Sequence, residues 1–582
     1  MEESAQLNYA VDEAPPHLIS LLLGFQVVAL ILSGIVLTPL IALDAAGIAG
    51  GATDWVVFAA LLISGVMTIV QAAPVGPIGA GYVLFMGTSG AFIAVSIGAL
   101  KAGGLPLLGS LIAAASLIQF VFTRYLGVFR RIITPTVGGT VITLIAVTVM
   151  PIAYGMLDQV PTGYSGSVHS PMWAAAVTLV IIVMLSLFGN KALRLWGPVI
   201  GVVSGSLVGG LLGLVDLQPF QQASLVGLPQ QGWPGLDLNF DARFWILLPG
   251  FLIVTIIGAL ETYGDGIAIQ EVSQREVLPP DYRKVQGALN ADGVGNLLSG
   301  LMGTLPNTTY STSVSVADLT GVASRRVGLY GGVILTLLAF SPKVSALLQA
   351  IPAPVAAVFI FFLIVLLFAH GIRLITSDGF SFDDGIVFGV ALWAGVGFQG
   401  QEVYHALMPD TVAQLLDNGM TTGGLVAVVL SWLVSLKRER SLKLTVPTAA
   451  ASLEPAVQFL TDRAQRLGWR GAQLSRLQLA LEEGFLLQNE RTQSAEGRKT
   501  TLVIRGNKQR VEMELISAQG GDNIETLLRE ENQSESLEET PVRLRLLRGI
   551  ANQISHQQFR NGDYLVITVL RSSAEGQPDY VR

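Results

Sequence analysis

Long apolar stretches recur through the first three quarters of the chain and limit what it can fold into. Five runs carry no Lys, Arg, Asp or Glu: 18–43, 55–100, 102–123, 132–157 and 344–371. A bilayer core about 30 Å thick needs about 20 apolar residues per helix. Buried helices of a soluble enzyme do not repeat such runs over a region of this length. The sequence therefore predicts an all-α polytopic membrane protein that is anchored in a lipid bilayer.

Charge is distributed unevenly along the 582 residues. Residues 1–436 hold 14 Lys and Arg and 23 Asp and Glu, whereas residues 437–582 hold 21 and 19. We predict a polar N-terminal tail (1–16), a transmembrane domain (17–436) and a soluble C-terminal α+β domain (437–582). The tail lacks the basic segment and cleavage site of a signal peptide. The chain has no cysteine and only five scattered histidines, so we expect no disulfide, metal site or cofactor.

Apolar length predicts fourteen transmembrane segments in two halves of seven, 17–215 and 243–436. The segments are 17–43, 53–73, 82–99, 105–124, 134–155, 172–190, 195–215, 243–264, 286–303, 308–322, 326–342, 352–371, 381–400 and 418–436. A cytoplasmic N-terminus places eleven Lys and Arg inside and only Lys101, Arg243 and Lys343 outside. Because cytoplasmic loops carry the excess of positive charge, we predict that both termini are cytoplasmic, in a bacterial inner membrane.

Two apolar segments are interrupted by glycine, proline and polar residues at matching positions of the two halves. They are 74–90, with the sequence PVGPIGAGYVLFMGTSG, and 300–315, with the sequence GLMGTLPNTTYSTSVS. Paired interruptions of this kind indicate the binding site of a transporter built from inverted repeats. Non-helical backbone is tolerated at membrane depth where it lines a cavity or is buried in protein. The alternative is that these glycines only allow close helix packing.

Three acidic residues lie within or beside predicted spans. Glu261 and Asp265 are four residues apart, and therefore on one helical face, and Asp292 opens the next span. Ionisable groups inside a membrane are costly and usually functional. Burial disfavours the charged form of a carboxyl group, so such a group binds and releases a proton as a cavity closes and opens. The alternative is a carboxylate fixed by hydrogen bonds for packing alone.

The stretch 307–313, NTTYSTS, predicts an extended segment leading into a half-helix. The free N–H groups at the start of that half-helix suit an electron-rich ligand atom. Residues 87–90, Gly-Thr-Ser-Gly, are the counterpart in the first half. Tyr310, Tyr82 and Phe85 are candidate aromatic walls for a planar ring, although core packing is the more common role for any one such residue.

Three stretches in this order resemble the signatures of the nucleobase–ascorbate transporters, the uracil/xanthine permease or nucleobase:cation symporter-2 family. They are GYVLFMGTSGAFI, ETYGDGIAIQEVS and ADGVGNLLSGLMGTLPNTTYSTSVSVADLTGVASR. The resemblance covers 17–436. It implies inverted repeats, a core domain moving against a gate domain, symport with H⁺ or Na⁺, and a homodimer. It implies that Glu261 binds the nucleobase. It also implies that Asp265 and Asp292, together with Glu261, couple solute transport to the cation.

The resemblance also implies further substrate-facing positions, several of which depart from the family pattern. These positions are Gln26, Ser89, Gly90, Tyr310, Thr312 and Ser313. Members often have Gln-His where this chain has Gln26-Val27, an acid or amide followed by Asn at 312–313, and an aromatic at Gly90. Because an acid is missing at Thr312, an anion transporter for bicarbonate, sulfate or a carboxylate stays an alternative to a nucleobase carrier. A membrane sensor that signals through 437–582 is a third possibility. None of the three is an enzyme or binds nucleic acid.

The C-terminal region reads as alternating strands and amphipathic helices. We predict strands at 442–447, 500–505, 511–517 and 564–570, with helices at 452–467, 472–490 and 542–554. The order resembles the kinase-like ATP-binding domains of bacterial anti-sigma factors, with RLQLALEEGFLLQNE in place of their first nucleotide motif. The expected roles are regulation through a cytoplasmic partner, dimer stabilisation or nucleotide binding.

Overall fold

The computed structural model of the chain describes residues 7–48, 50–126, 134–161, 164–229, 231–276, 278–377, 379–399, 419–436, 441–491, 498–518, 523–524 and 542–571. Contacts divide the chain into two compact units. The first comprises Met1–Arg275 and Lys284–Leu433, and the second comprises Glu276–Arg283 and Val434–Arg582.

The first unit is built almost entirely from helices. They are α1 (His17–Ala45), α2 (Gly51–Ala72), α3 (Ile93–Arg124), α4 (Pro135–Gly155), α5 (Ser170–Phe188), α6 (Lys191–Leu211), α7 (Gln218–Gln222), α8 (Ala242–Val272), α9 (Tyr282–Met302), α10 (Ser311–Thr320), α11 (Arg325–Ala339), α12 (Pro342–Gln349), α13 (Ala353–Thr376), α14 (Phe382–Phe398) and α15 (Gly419–Ser435). Among the described residues, eight helices are long and apolar enough to cross a membrane, or nine if the bent pair α11 and α12 is one span. The prediction of a helical, multi-pass membrane protein is confirmed, and the full count of fourteen stays a prediction.

Local sequence explains where these helices begin and break. The predicted segment 82–99 is helical only in its second part, because α3 begins at Ile93 after a short 3₁₀ turn, Gly90–Phe92. The next predicted segment, 105–124, belongs to the same helix but follows a break at Gly104, whose φ of 69° is left-handed. Glycine adopts that conformation at little cost, and Pro106 just after it lacks the N–H that would continue the helix.

Helices of this unit approach one another through glycine. A methyl group at Gly139 of α4 would overlap the carbonyl oxygen of Gly371 in α13, and one at Gly300 of α9 would lie 2.6 Å from the backbone nitrogen of Ala113 in α3. Small residues allow backbones to pack closely where lipid offers no hydrophobic driving force between helices. The glycine-rich composition, 64 residues in all, therefore serves packing at several crossings as well as the interrupted segments.

The two interrupted segments form a pair of short antiparallel strands. Strand β1 (Met86–Thr88) lies beside β2 (Asn307–Thr309), with Met86 opposite Thr309 and Thr88 opposite Asn307. Two further backbone bonds extend the pairing, from Ser89 N to Pro306 O (2.8 Å) and from Tyr310 N to Phe85 O (2.9 Å). Each strand precedes a helix, α3 or α10, so the segments meet where their helices start.

The described part of the N-terminal tail packs on the turn between α10 and α11. The backbone amides of Asn8 and Tyr9 donate to Gly321 O at 2.7 and 3.1 Å. Glu13 forms an ion pair of 2.8 Å with Arg275 near the end of α8. The tail thus connects the last turn of the half-helix α10 to the end of the helix that carries two of the predicted acids.

The second unit contains a five-stranded antiparallel sheet with the order β3-β4-β5-β7-β6. The strands are β3 (Leu442–Pro447), β4 (Lys499–Gly506), β5 (Arg510–Ser517), β6 (Gln553–Phe559) and β7 (Gly562–Leu570), and the helices are α16 (Leu453–Arg466), α17 (Ala472–Arg491) and α18 (Val542–Ile550). One sheet face and the helices bury a core around Trp469, Phe485 and Leu515. The predicted helix 542–554 was wrong at its end, because β6 starts at Gln553. Its polar sequence, QISHQQF, lacks the apolar alternation expected of a strand.

Candidate functional site

The two acids of α8 lie on the same face but have different surroundings. Asp265 is buried, with an exposed fraction of 7%. Its Oδ1 accepts a hydrogen bond of 2.6 Å from Ser311 Oγ, and its Oδ2 accepts one of 2.7 Å from Thr309 Oγ1. Glu261, one turn earlier, is partly exposed and makes no hydrogen bond within the described residues. The structure therefore leaves Glu261 available to a solute, whereas Asp265 is held by hydrogen bonds from the second interrupted segment.

The start of α10 is fixed by hydrogen bonds on both sides of Tyr310. The Tyr310 hydroxyl donates to Thr88 O at 2.7 Å, across the strand pair. Ser313 is buried, and its Oγ donates to Tyr310 O at 2.6 Å and accepts from Phe85 N at 3.3 Å. Tyr310 and Ser313 thus stabilise the place where the two interrupted segments pair as β1 and β2, which we call the crossing. Thr312 is partly exposed in the first turn of α10.

Asp292 is buried and lies at one end of a chain of hydrogen-bonded, buried amide side chains. Gln119 Nε2 of α3 donates to Asp292 Oδ2 at 2.5 Å, and Asn296 Nδ2 donates to Gln119 Oε1 at 2.9 Å. Asn296 Oδ1 then accepts from the backbone N of Asn307 in β2 at 2.7 Å. Asp292 Oδ1 has no hydrogen-bond partner in the described parts of the chain. This chain of contacts connects Asp292 to the strand pair without exposing it.

On the first-half side of the crossing, the space is open. A Cβ added at Gly90 would meet no atom within 4 Å, so there is open space around this residue. Ser89 is buried, and its Oγ has no partner among the residues that the structure describes. Phe85, a candidate wall, is instead fully buried, with its ring against Gly331 of α11.

Gln26 lies on α1, eight residues before Gly34. A Cβ at Gly34 would be 3.0 Å from the Tyr310 hydroxyl, which places that part of α1 beside the crossing. Eight residues of helix span about 12 Å, so Gln26 lies about two turns farther along α1. Its side chain is partly exposed and makes no hydrogen bond with any described residue.

Several residues around the acids were missed by sequence reasoning. Thr309 and Ser311 hold Asp265, and Thr262 lies 3.3 Å from Thr309 through its hydroxyl. Gln119 and Asn296 form the amide chain to Asp292. The only signal for Gln119 was a single amide inside an otherwise apolar run, which does not indicate its partner. The hydroxyl-rich stretch 307–313 was recognised, but its pairing with Asp265 requires the fold.

A helical membrane unit in which two broken segments cross beside a partly exposed acid can bind a small polar solute within the protein. No cluster of three or more His, Asp or Glu suited to a metal occurs in the described residues. The crossing segments inside a helical membrane unit are typical of a multi-pass membrane transporter.

Comparison with known proteins gives the family. Residues 18–402 match the xanthine/uracil permease family, described as "Permease family", and the chain belongs to it. It is 29% identical over 448 residues to the xanthine permease XanP of Escherichia coli (strain K12), covering 74% of this chain and 95% of that protein. It is 25% identical to the nucleobase transporter PlUacP of Paenibacillus larvae over 428 residues, covering 72% and 95%.

A solved structure shares the fold at much lower sequence identity. It is the murine Solute Carrier 26 family member A9 anion transporter in the inward-facing state, with a TM-score of 0.50 and 14% identity. The match covers 75% of this chain and 71% of that one. At this identity the similarity concerns the fold alone.

Proposed function

We propose that this protein is a secondary active transporter for a purine or pyrimidine base, or a similar planar solute, coupled to H⁺ or Na⁺. One observation carries the proposal: the two interrupted segments pair as β1 and β2, and β2 contacts α8 at Thr262, the neighbour of Glu261, which has no hydrogen-bond partner among the described residues. The names of the two relatives, a xanthine permease and a nucleobase transporter, support the same solute class.

The roles of the site residues follow from their chemistry. The Glu261 carboxylate accepts hydrogen bonds from ring N–H groups, which nucleobases present next to carbonyl oxygens. The first amides of α10, at Ser311 and Thr312, donate to those carbonyl oxygens. The open space at Gly90 accommodates the ring. Ser89, Tyr310 and Ser313 shape the crossing, and Gln26 contributes from α1 in a second conformation.

Coupling uses the buried acids. Asp265 and Asp292 are both enclosed by protein, so each binds a proton or a cation more readily when the cavity is closed than when water enters it. Glu261 takes part because it is one turn from Asp265 and the two repel each other when both are charged. A cation that neutralises these acids therefore favours the state of the transporter in which the solute is bound.

The architecture proposed for transport has fourteen spans in two inverted repeats of seven. A core domain that carries β1, β2 and α8 moves against a gate domain in an elevator-like cycle, in a homodimer. Both termini are cytoplasmic in a bacterial inner membrane. The C-terminal domain, 437–582, regulates transport through a cytoplasmic partner or stabilises the dimer.

Uptake into proteoliposomes tests the function. The purified full-length protein is assayed with radiolabelled xanthine, uracil and hypoxanthine under an imposed pH gradient, an imposed Na⁺ gradient, or neither. The expected result is concentrative uptake of at least one base under one gradient, and its loss in Glu261→Gln. Absence of uptake of every base under every gradient would refute the proposal.

The same preparation separates the two alternatives. An anion transporter is favoured by Thr312, which replaces an acid at the half-helix start, and it would exchange bicarbonate or sulfate and retain exchange in Glu261→Gln. The Asp265 carboxylate at the same helix end argues against it. A sensor would show no flux in the full protein, whereas a transporter regulated by its tail keeps transport when 437–582 is deleted.

A further inference from the structure

The half-helix α10 begins against a negatively charged side chain of the protein itself. Asp265 accepts hydrogen bonds from the hydroxyls of Thr309 and Ser311, the two residues that flank the N-cap residue Tyr310. Both bonds are short, at 2.7 and 2.6 Å, and the carboxylate is 7% exposed. The position of this group is therefore fixed by the protein and does not depend on a bound solute.

The start of a helix attracts anions because its first N–H groups are unpaired and its dipole is positive there. Helix α10 has ten residues, and its N-cap residue Tyr310 makes no side-chain capping bond. Within the described residues, the amides of Ser311 and Thr312 donate to no protein acceptor. Asp265 supplies a negative charge at this end of the helix. The attraction of the helix start for a solute anion is therefore already partly compensated.

We propose that Asp265 determines charge selectivity: while the cavity is open and this carboxylate is ionised, it acts as a built-in counter-anion at the start of α10 and excludes anionic solutes, leaving the neighbouring amides to neutral carbonyl groups. This inference rests on the proposed function, because it explains how the site accepts a neutral ring in a fold with two half-helix N-termini. Two like charges about 6 Å apart, at an effective dielectric constant of about 20, repel enough to weaken binding roughly 100-fold.

The test compares Asp265→Asn with Asp318→Asn in the full-length protein. Both variants remove one negative charge from the same region, but Asp318 is exposed in the last turns of α10, away from its start. Nitrate is the probe, and binding is read from the melting midpoint as nitrate replaces gluconate at constant ionic strength. We expect Asp265→Asn to bind nitrate roughly 100-fold more tightly than the wild type and Asp318→Asn to resemble the wild type.

Two results would overturn the inference. One is a folded Asp265→Asn protein whose nitrate affinity equals that of the wild type. The other is an equal gain in both variants, which would indicate a general effect of net charge. If Asp265→Asn does not fold, Asp265→Ser is used, because its hydroxyl can still bond to Thr309 or Ser311 while the charge is absent.

Nitrate binding is measured without any base, so it is independent of the proposed function. A gain of nitrate affinity together with no base uptake by the wild type would retain the charge-selection role and refute nucleobase transport. Base uptake by the wild type together with no gain of nitrate affinity in either replacement would do the reverse.

Discussion

Adding one methyl group at Gly87 tests whether the crossing of the two broken segments is as tight as the structure shows. A Cβ at Gly87 would lie 2.7 Å from Tyr310 Cζ, 2.9 Å from Tyr310 Cε2 and 2.9 Å from Ile35 Cγ1. Ordinary carbon contacts are about 3.5–4.0 Å. The ring of Tyr310 is also held by its hydrogen bond to Thr88 O, so it cannot move away freely.

The expected loss of stability follows from two opposing terms. Overpacking a filled core costs about 1–3 kcal/mol. Replacing glycine by alanine also restricts the unfolded chain, which stabilises a protein by about 0.4–1 kcal/mol where the backbone is compatible. The overlap outweighs this gain because both neighbours are confined. We therefore expect Gly87→Ala to destabilise the membrane unit by about 1–2 kcal/mol and to reduce uptake by displacing Tyr310.

Gly90→Ala is the matched control, three residues along the same segment. Its Cβ would meet no atom within 4 Å, so only the effect on the unfolded chain applies, and we expect a melting midpoint that is unchanged or slightly raised. Melting is followed by intrinsic fluorescence, since the chain has 8 Trp and no Cys for a thiol dye. An unchanged midpoint in Gly87→Ala, or an equal loss in both variants, would show that the crossing is looser than described.

Three further predictions concern other contacts. Gln119→Leu removes the donor to the buried Asp292 and should destabilise the protein by about 2–3 kcal/mol, measured by the melting midpoint. Hydrogen bonding to Arg275 lowers the pKa of Glu13 below its usual value of 4.5, so its contribution to tail docking is complete above that pH and lost as the pH falls. Accordingly, Glu13→Gln should increase proteolysis of the N-terminal tail near neutral pH and remove the acid sensitivity. Arg543→Ala in the C-terminal unit removes ion pairs to two carboxylates, and its cost, about 1 kcal/mol or less, should shrink in high salt.

The sequence by itself determined the helical membrane class and the location of the interrupted segments. Apolar length is a local property, and a bilayer requires every backbone group within it to be satisfied, so long uncharged runs have few possible structures. The change in charge at residue 436 separated a charge-poor region from a charge-rich one, because charged side chains are costly inside a bilayer. The acids at 261, 265 and 292 were identified because ionisable groups are rare within such runs.

Only the tertiary structure decided which partners these groups have. The sequence put Asp265 and Glu261 on one face of α8, but their different surroundings depend on β2 and α10, more than 40 residues later in the chain. Gln119 reaches Asp292 across 173 positions. Hydrogen bonds between distant segments leave no periodic pattern in the sequence, because they depend on how helices pack and not on the spacing within any one of them.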